Sequence, residues 1–380
     1  MQNTRKSRVL LYGNINTKDY RAKTLIEILE NLKYCVSLVS PDFYRSREIK
    51  QALSVEKLMI VFCWLELFIK AAFTDVIYLP PMNARFIKSA TWAAKIFNKK
   101  LIVEMYFSLY DTLVRDRETM KEGSRQAEAV KQKDILALTK ADYIIHTSNS
   151  EIDYWEKLLN ISINREKVFI SPVCNVSTLI HQREFQQDGV LRICWWGTFI
   201  PLHGLDKILQ AMKILQQQNL KFTCVLFGIN NKFYTEYENK IKLAQIEHHV
   251  FLRKDLSFAD DSLPKYLVEK CDLALGIFGD TDKARNAVPN KLIEALSMKI
   301  PTLTMDAPAL QEFFNPGVDF WVCQNSPETI AESITKIAQN KANYIDWGKT
   351  QQKTLNTFSV SQYQDILSKV LSKAEERSLT

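Results

Sequence analysis

Short apolar runs rich in β-branched residues alternate with segments of helical period along the whole chain, and the pattern occurs twice. In the first half the runs are Val9–Tyr12, Val36–Val39, Val76–Leu79, Leu101–Met105, Tyr143–His146 and Val168–Ser171. In the second they are Leu191–Trp196, Phe222–Phe227, Val250–Arg253, Leu273–Phe278, Thr302–Met305 and Phe320–Cys323. Helical segments between them include Ala22–Leu32, Arg85–Phe97, Leu205–Gln217, Asn290–Met298 and Glu328–Gln339. Strands that read apolar on both faces, separated by helices, predict parallel sheets covered on both sides. The class is therefore α/β, with two Rossmann-like domains.

The length of 380 residues fits two domains at roughly 100–200 residues each. The polar stretch HQREFQQDG at 181–189 separates the last strand of one half from the first of the other. The expected division is a domain over 1–185, a second over 190–345, and terminal helices over 346–380 that pack back on the first domain through Trp347, Phe358 and Tyr363. Ligands of open parallel sheets bind beyond the carboxyl ends of the strands, so the default site is a cleft between the two sheets.

A net charge of +7 suits phosphate-bearing ligands or an anionic surface. No run of five or more Lys/Arg occurs and aromatics are not interleaved with charge, which argues against a nucleic-acid partner. Seven widely spaced cysteines, an odd number without a CxxC pair, predict buried thiols in a reducing, cytoplasmic compartment. No His/Asp/Glu cluster has metal-ligand spacing, so neither a metal nor another cofactor is expected. Leu58–Ile69 (LMIVFCWLELFI) is too short to span a bilayer. It is expected to be a core helix, with peripheral contact at the inner face of a membrane, through Phe62, Trp64 and Phe68, as the alternative.

Two segments of the second half carry chemistry. In Trp195-Trp196-Gly197-Thr198…His203-Gly204 a strand ends, Gly197 opens a turn, and a helix starts near Gly204. Glycine permits close approach of a ligand, and the helix N-terminus offers N–H groups to a diphosphate. The other segment runs from Asp280 to Leu296. There Lys283, Arg285 and Lys291 gather positive charge around a helix expected to begin at Pro289-Asn290. Glu294 lies one turn further on, and a carboxylate there can accept hydrogen bonds from vicinal ribose hydroxyls. The alternatives are a plain βα turn and a surface helix with scattered charges.

Together these segments resemble the retaining GT-B glycosyltransferases of the glycosyltransferase family 4 group. The carrying residues are Gly197-Thr198…His203-Gly204 and Pro289-Asn290-Lys291-Leu292-Ile293-Glu294…Pro301-Thr302. The resemblance implies a GT-B fold, a nucleotide-sugar donor as substrate, Glu294 on the donor ribose, and Gly197 and Thr198 facing the diphosphate, with Lys283, Arg285, Asn290 and Lys291 beside it. The family's first acidic residue, eight positions before the ribose-binding one, is Asn286 here, and His203 stands where a lysine is frequent. In the first half the resemblance is thinner; it points to Gly13, Asn14 and Tyr110 on the acceptor side and to Asp111 as the polar group near the reacting sugar, while His146 joins the acceptor side because it ends the strand YIIH and strand ends face the cleft. A helix-capping role for Asp111 and a satisfied core role for His146 stay open.

The expected reaction moves a sugar from a nucleoside-diphosphate sugar to an acceptor hydroxyl, with retention and without metal, in surface-polysaccharide or glycolipid synthesis. A lipid-linked acceptor fits the basic charge. An epimerase of the same fold and a non-catalytic nucleotide-sugar-binding protein are the rival readings.

Overall fold

A computed structural model describes residues 6–15, 20–40, 53–172, 177–181, 184–186, 188–228, 232–340 and 344–376. Cys174 and parts of the 181–189 stretch lie outside them. The chain forms two compact units. One comprises Met1–Thr147, Ile152–Pro172 and Val360–Thr380, and the other Ser148–Glu151 and Val173–Ser359. The division between Pro172 and Val173 falls eight residues before the polar stretch from which the sequence places it. It also splits the expected terminal helices: α12 (Trp347–Thr357) belongs to the second unit and α13 (Val360–Glu376) to the first.

The first unit holds six parallel strands: β1 (Arg8–Tyr12), β2 (Cys35–Val39), β3 (Val76–Leu79), β4 (Lys100–Glu104), β5 (Tyr143–His146) and β6 (Val168–Ile170). Their order is β2-β1-β3-β4-β5-β6. β1, β3 and β5 are buried nearly end to end, as strands covered on both faces must be. The helices are α1 (Tyr20–Asn31), α2 (Leu53–Ala72), α3 (Ile87–Ile96), α4 (Arg125–Lys140) and α5 (Asn149–Leu159). α13 is tied to this sheet by a buried carboxylate. Glu104 accepts from the Tyr78 hydroxyl at 2.5 Å and from the Tyr363 hydroxyl at 3.0 Å. Burial pushes both phenols well above their ordinary range, so both stay protonated and donating.

α2 departs from the core reading of Leu58–Ile69. Only Cys63, Leu67 and Ala71, one residue per turn, are buried, while Val61, Phe62, Trp64, Leu65 and Ile69 face outward. The side chains of residues 58–60 lie outside the described set.

The second unit holds β7 (Leu191–Gly197), β8 (Phe222–Gly228), β9 (Val250–Arg253), β10 (Leu273–Leu275), β11 (Thr302–Met305) and β12 (Trp321–Cys323). They are parallel, in the order β12-β11-β10-β7-β8-β9. The helices are α6 (Leu205–Gln217), α7 (Lys232–Leu243), α8 (Ser262–Lys270), α9 (Asp282–Asn286), α10 (Asn290–Ser297) and α11 (Pro327–Ala338), besides α12. β10 ends three residues sooner than expected, because the chain past Gly276 turns to pair with another loop: the Phe278 amide donates to the His203 carbonyl at 3.1 Å. Among the described residues the six cysteines are free thiols; Cys63, Cys194, Cys224 and Cys271 are buried, Cys323 partly so, and Cys35 is exposed.

Candidate functional site

The order of the second sheet fixes where a ligand can sit. From β7 the chain moves outward through β8 and β9, then returns to the other side of β7 with β10 and continues through β11 and β12. The direction of winding reverses between β7 and β10, the point at which ligands of open parallel sheets bind. Glycines let the loops that leave these two strands pack closely there. A Cβ on Gly204 would lie 2.3 Å from the Phe278 backbone, and one on Gly279 2.4 Å from the Leu202 carbonyl oxygen. Gly204 holds φ at +63° and starts α6 with no side-chain cap, leaving its first amides without a side-chain partner.

At that end of the sheet the strand alternation of β7 sends Trp195 and Trp196 to opposite faces, each reaching α10. The Trp196 indole N–H donates to Glu294 Oε2 at 2.6 Å. The Trp195 ring lies 3.9 Å below the Lys291 ammonium. Lys291 and Glu294 are one turn apart on α10 and both are buried. Lys291 Nζ has no hydrogen-bond acceptor among the described residues. Desolvation holds this amine well below the usual lysine range, and the Glu294 carboxylate only partly opposes it.

The fifth member is Gly197, with φ at +146°. A Cβ there would stand 3.1 Å from His203 Cε1 and 3.2 Å from Lys291 Nζ, so the missing side chain makes a cradle between an imidazole and an amine. His203 Nδ1–H donates to the Thr198 carbonyl, which leaves Nε2 as the lone-pair nitrogen. Burial, then the nearby Lys291, keep its ring neutral by holding it well below the ordinary imidazole range.

The expected donor residues therefore separate. Gly197, Thr198, Lys291 and Glu294 converge, joined by His203 and the two tryptophans. Asn290 is the first residue of α10, capped by the backbone of Pro289 rather than the reverse. Lys283 and Arg285 belong to the short helix α9, and the contacts at Gly197 come from neither; Arg285 is exposed. Asn286 turns inward on α9, donating from Nδ2 to the Asp282 carbonyl at 2.8 Å.

In the first unit the winding reverses between β1 and β3. Gly13 and Asn14 follow β1, as expected for an edge of a site. Gly13 has φ at +138°, and a Cβ there would strike Asn83 Cγ at 2.3 Å. Asn83, which the sequence reading missed, joins the two loops: its Oδ1 accepts from the Asn14 amide at 2.7 Å and its Nδ2 donates to the Pro81 carbonyl at 3.0 Å. Asp111 and His146 do not stand on a ligand surface. Asp111 is wholly buried in the first turn of a helix over Asp111–Asp116 and accepts from the Tyr154 hydroxyl at 2.7 Å. His146 is equally buried, pairs through Nδ1 with the Met105 carbonyl and packs on Trp155 at 4.5 Å. His146 ends β5 and Asp111 opens the helix that follows β4, and residues of α5 pack across both. Tyr110 donates its hydroxyl to Glu122 at 3.1 Å.

Residues 177–354 match the family described as Glycosyl transferases group 1. The second unit is a glycosyl transferases group 1 domain. That match spans the whole Gly197–Glu294 constellation, and with the GT-B fold it makes the chain a glycosyltransferase. No curated protein matches the sequence. Among solved structures, Anabaena Alr3699/HepE in complex with UDP and glucose superposes with a TM-score of 0.66 at 15% identity, covering 97% of this chain and 100% of its own. The lipopolysaccharide outer core galactosyltransferase WaaB, in its apo form, gives 0.66 at 12% identity over 96% and 99%. A UDP-N-acetylglucosamine 2-epimerase described as putative, from Listeria monocytogenes, gives 0.57 at 14% identity over 98% of both chains. These likenesses carry the fold; the glycosyl transferases group 1 domain carries the chemistry.

Proposed function

We propose that the chain transfers a sugar from a nucleoside-diphosphate sugar to an acceptor hydroxyl, with retention and without a metal, in the synthesis of a surface polysaccharide or glycolipid. One observation carries the donor assignment: the Lys291 amine is buried, lacks an acceptor and faces the cradle left by Gly197. A buried amine of this kind is costly unless an anion completes it. A diphosphate in the cradle supplies that anion. Lys291 and the uncapped start of α6 then stabilise the charge that develops on the leaving group. Glu294 accepts from the Trp196 indole, and a carboxylate in this place can also accept from the vicinal hydroxyls of a ribose. The Anabaena neighbour, solved with UDP, supports uracil as the first base to try.

The test is calorimetric titration with UDP, GDP, ADP and TDP. One nucleotide is expected to bind, and Glu294→Gln to weaken it by about tenfold, the value of one charge-assisted bond. Binding of none of them, or an unchanged affinity in Glu294→Gln, removes the donor assignment. Turnover of the matching nucleotide-sugar is expected to survive EDTA. The epimerase reading rests on the Listeria neighbour, and proton NMR decides it: an epimerase converts the nucleotide-sugar without any acceptor.

A further inference from the structure

α2 is apolar on opposite sides. One stripe, Cys63, Leu67 and Ala71, enters the core. The opposite stripe, Val61, Leu65, Ile69 and Phe73, recurs every fourth residue and faces water, with Phe62 and Trp64 beside it. On α3, Trp92 and Ile96 face outward, and the two helices meet through the Phe68–Phe97 ring contact at 6.1 Å. These eight exposed side chains are each 47–64% accessible. A surface helix normally turns its polar residues outward, so this inversion needs an occupant.

The charges around the face say which. From Val61 to Lys100 there are six basic residues and two acidic ones. Glu66 is taken by Lys70 at 2.6 Å, and Asp75 accepts from the Arg8 amide at 2.7 Å. Lys100 pairs with Asp142. Arg85, Lys88, Lys95 and Lys99 pair with no carboxylate among the described residues. A second copy of the chain is a poor match, because a two-fold interface would bring these like charges together. An anionic bilayer matches both features: apolar and aromatic side chains enter the headgroup boundary while lysines reach the phosphates.

We propose that the outer face of α2 and α3 is a membrane-docking surface for anionic lipid. No helix of the described residues is long and apolar enough to cross a membrane, so the attachment lies in the interface plane. The inference is independent of the donor site.

The test is flotation of the full chain with vesicles of phosphatidylcholine containing increasing phosphatidylglycerol. Binding is expected to rise with phosphatidylglycerol and to fall with salt. The double variant Lys88→Gln/Lys95→Gln should bind about 30-fold more weakly, about fivefold per lysine. Leu65→Ser/Ile69→Ser should lose vesicle binding while keeping its melting temperature and nucleotide affinity, since both side chains are exposed. Equal flotation with neutral and anionic vesicles, or none, overturns the proposal. So does a concentration-dependent dimer that Leu65→Ser/Ile69→Ser converts to monomer, which would assign the face to a second copy.

Discussion

Lys291→Met separates the donor site from the fold, because its two effects should have opposite signs. Met keeps the length and apolar stem of Lys291 but removes the buried amine. Without a bound anion that amine has no acceptor among the described residues, and its charged form is desolvated, with only the Trp195 ring, 3.9 Å away, as compensation. Replacing buried charge by apolar volume is neutral to stabilising by roughly 1–4 kcal/mol, and a desolvated cation–π contact is worth about 2 kcal/mol. The net expectation is an unchanged or slightly raised melting temperature. Nucleoside-diphosphate affinity moves the other way. One lost charge-assisted bond of about 1.5–3 kcal/mol weakens it about 10- to 150-fold. There is also a proton signature. Burial holds the amine below its usual 10.5, so between the lowered value and 10.5 the unfolded chain binds a proton that the folded one lacks. Stability of the empty protein therefore rises with pH across that window, and the rise should vanish in Lys291→Met. A bound diphosphate restores the charged form, so binding should take up a proton. Calorimetry in buffers of different ionisation enthalpy, in a pH series from about 8 up to 10.5 where an imidazole is neutral anyway, reads that uptake, which should be absent in Lys291→Met. A lower melting temperature with unchanged affinity and no proton uptake in the native protein would refute the reasoning and make Lys291 a structural residue.

Three further outcomes follow from the same geometry. Trp196→Phe removes the donor that orients Glu294, so discrimination between UDP and 2′-deoxy-UDP should shrink from about tenfold toward unity while the melting temperature changes little; retained discrimination would mean Glu294 is held by other contacts. Gly197→Ala puts a methyl group between His203 and Lys291 on a left-handed backbone, so nucleotide binding should be lost at a stability cost of about 1–3 kcal/mol, read by calorimetry and denaturant melts. Burial pushes the Asp134 carboxyl up to about 6, against the bonds from Ser108 and the Tyr110 amide, so between 3.8 and about 6 the folded state holds a proton that the unfolded chain has lost. Stability should fall by roughly 2–3 kcal/mol as pH rises through that window, and Asp134→Asn should flatten the profile.

What the sequence showed and what it hid divide by range. Strand periodicity is local, and all twelve apolar runs became strands; their parallel order followed from the helices between them. Glycines 197 and 204 were legible because a turn that brings backbone to a ligand needs them. Lys291 and Glu294 were legible as types but not as a ranking. Before the fold, Lys283, Arg285 and Lys291 were three equal cations near one helix. Only the packing of α10 against β7, from residues about a hundred positions earlier, buries one of them over Trp195 and leaves the others outside. The burial of Asp111 and His146 was hidden for the converse reason: one lies in the helix after β4 and the other ends β5, but burial depends on what packs across each, here Tyr154 and Trp155 of α5. Trp196 gave no signal at all, because an indole in an apolar strand reads as core. Its N–H found a carboxylate 98 residues away, and that bond orients Glu294 as an acceptor. The order of inference for such a site therefore runs from the winding of the sheet to the crevice, then to the charge that burial leaves without an acceptor, and only last to the residue types that the sequence offers.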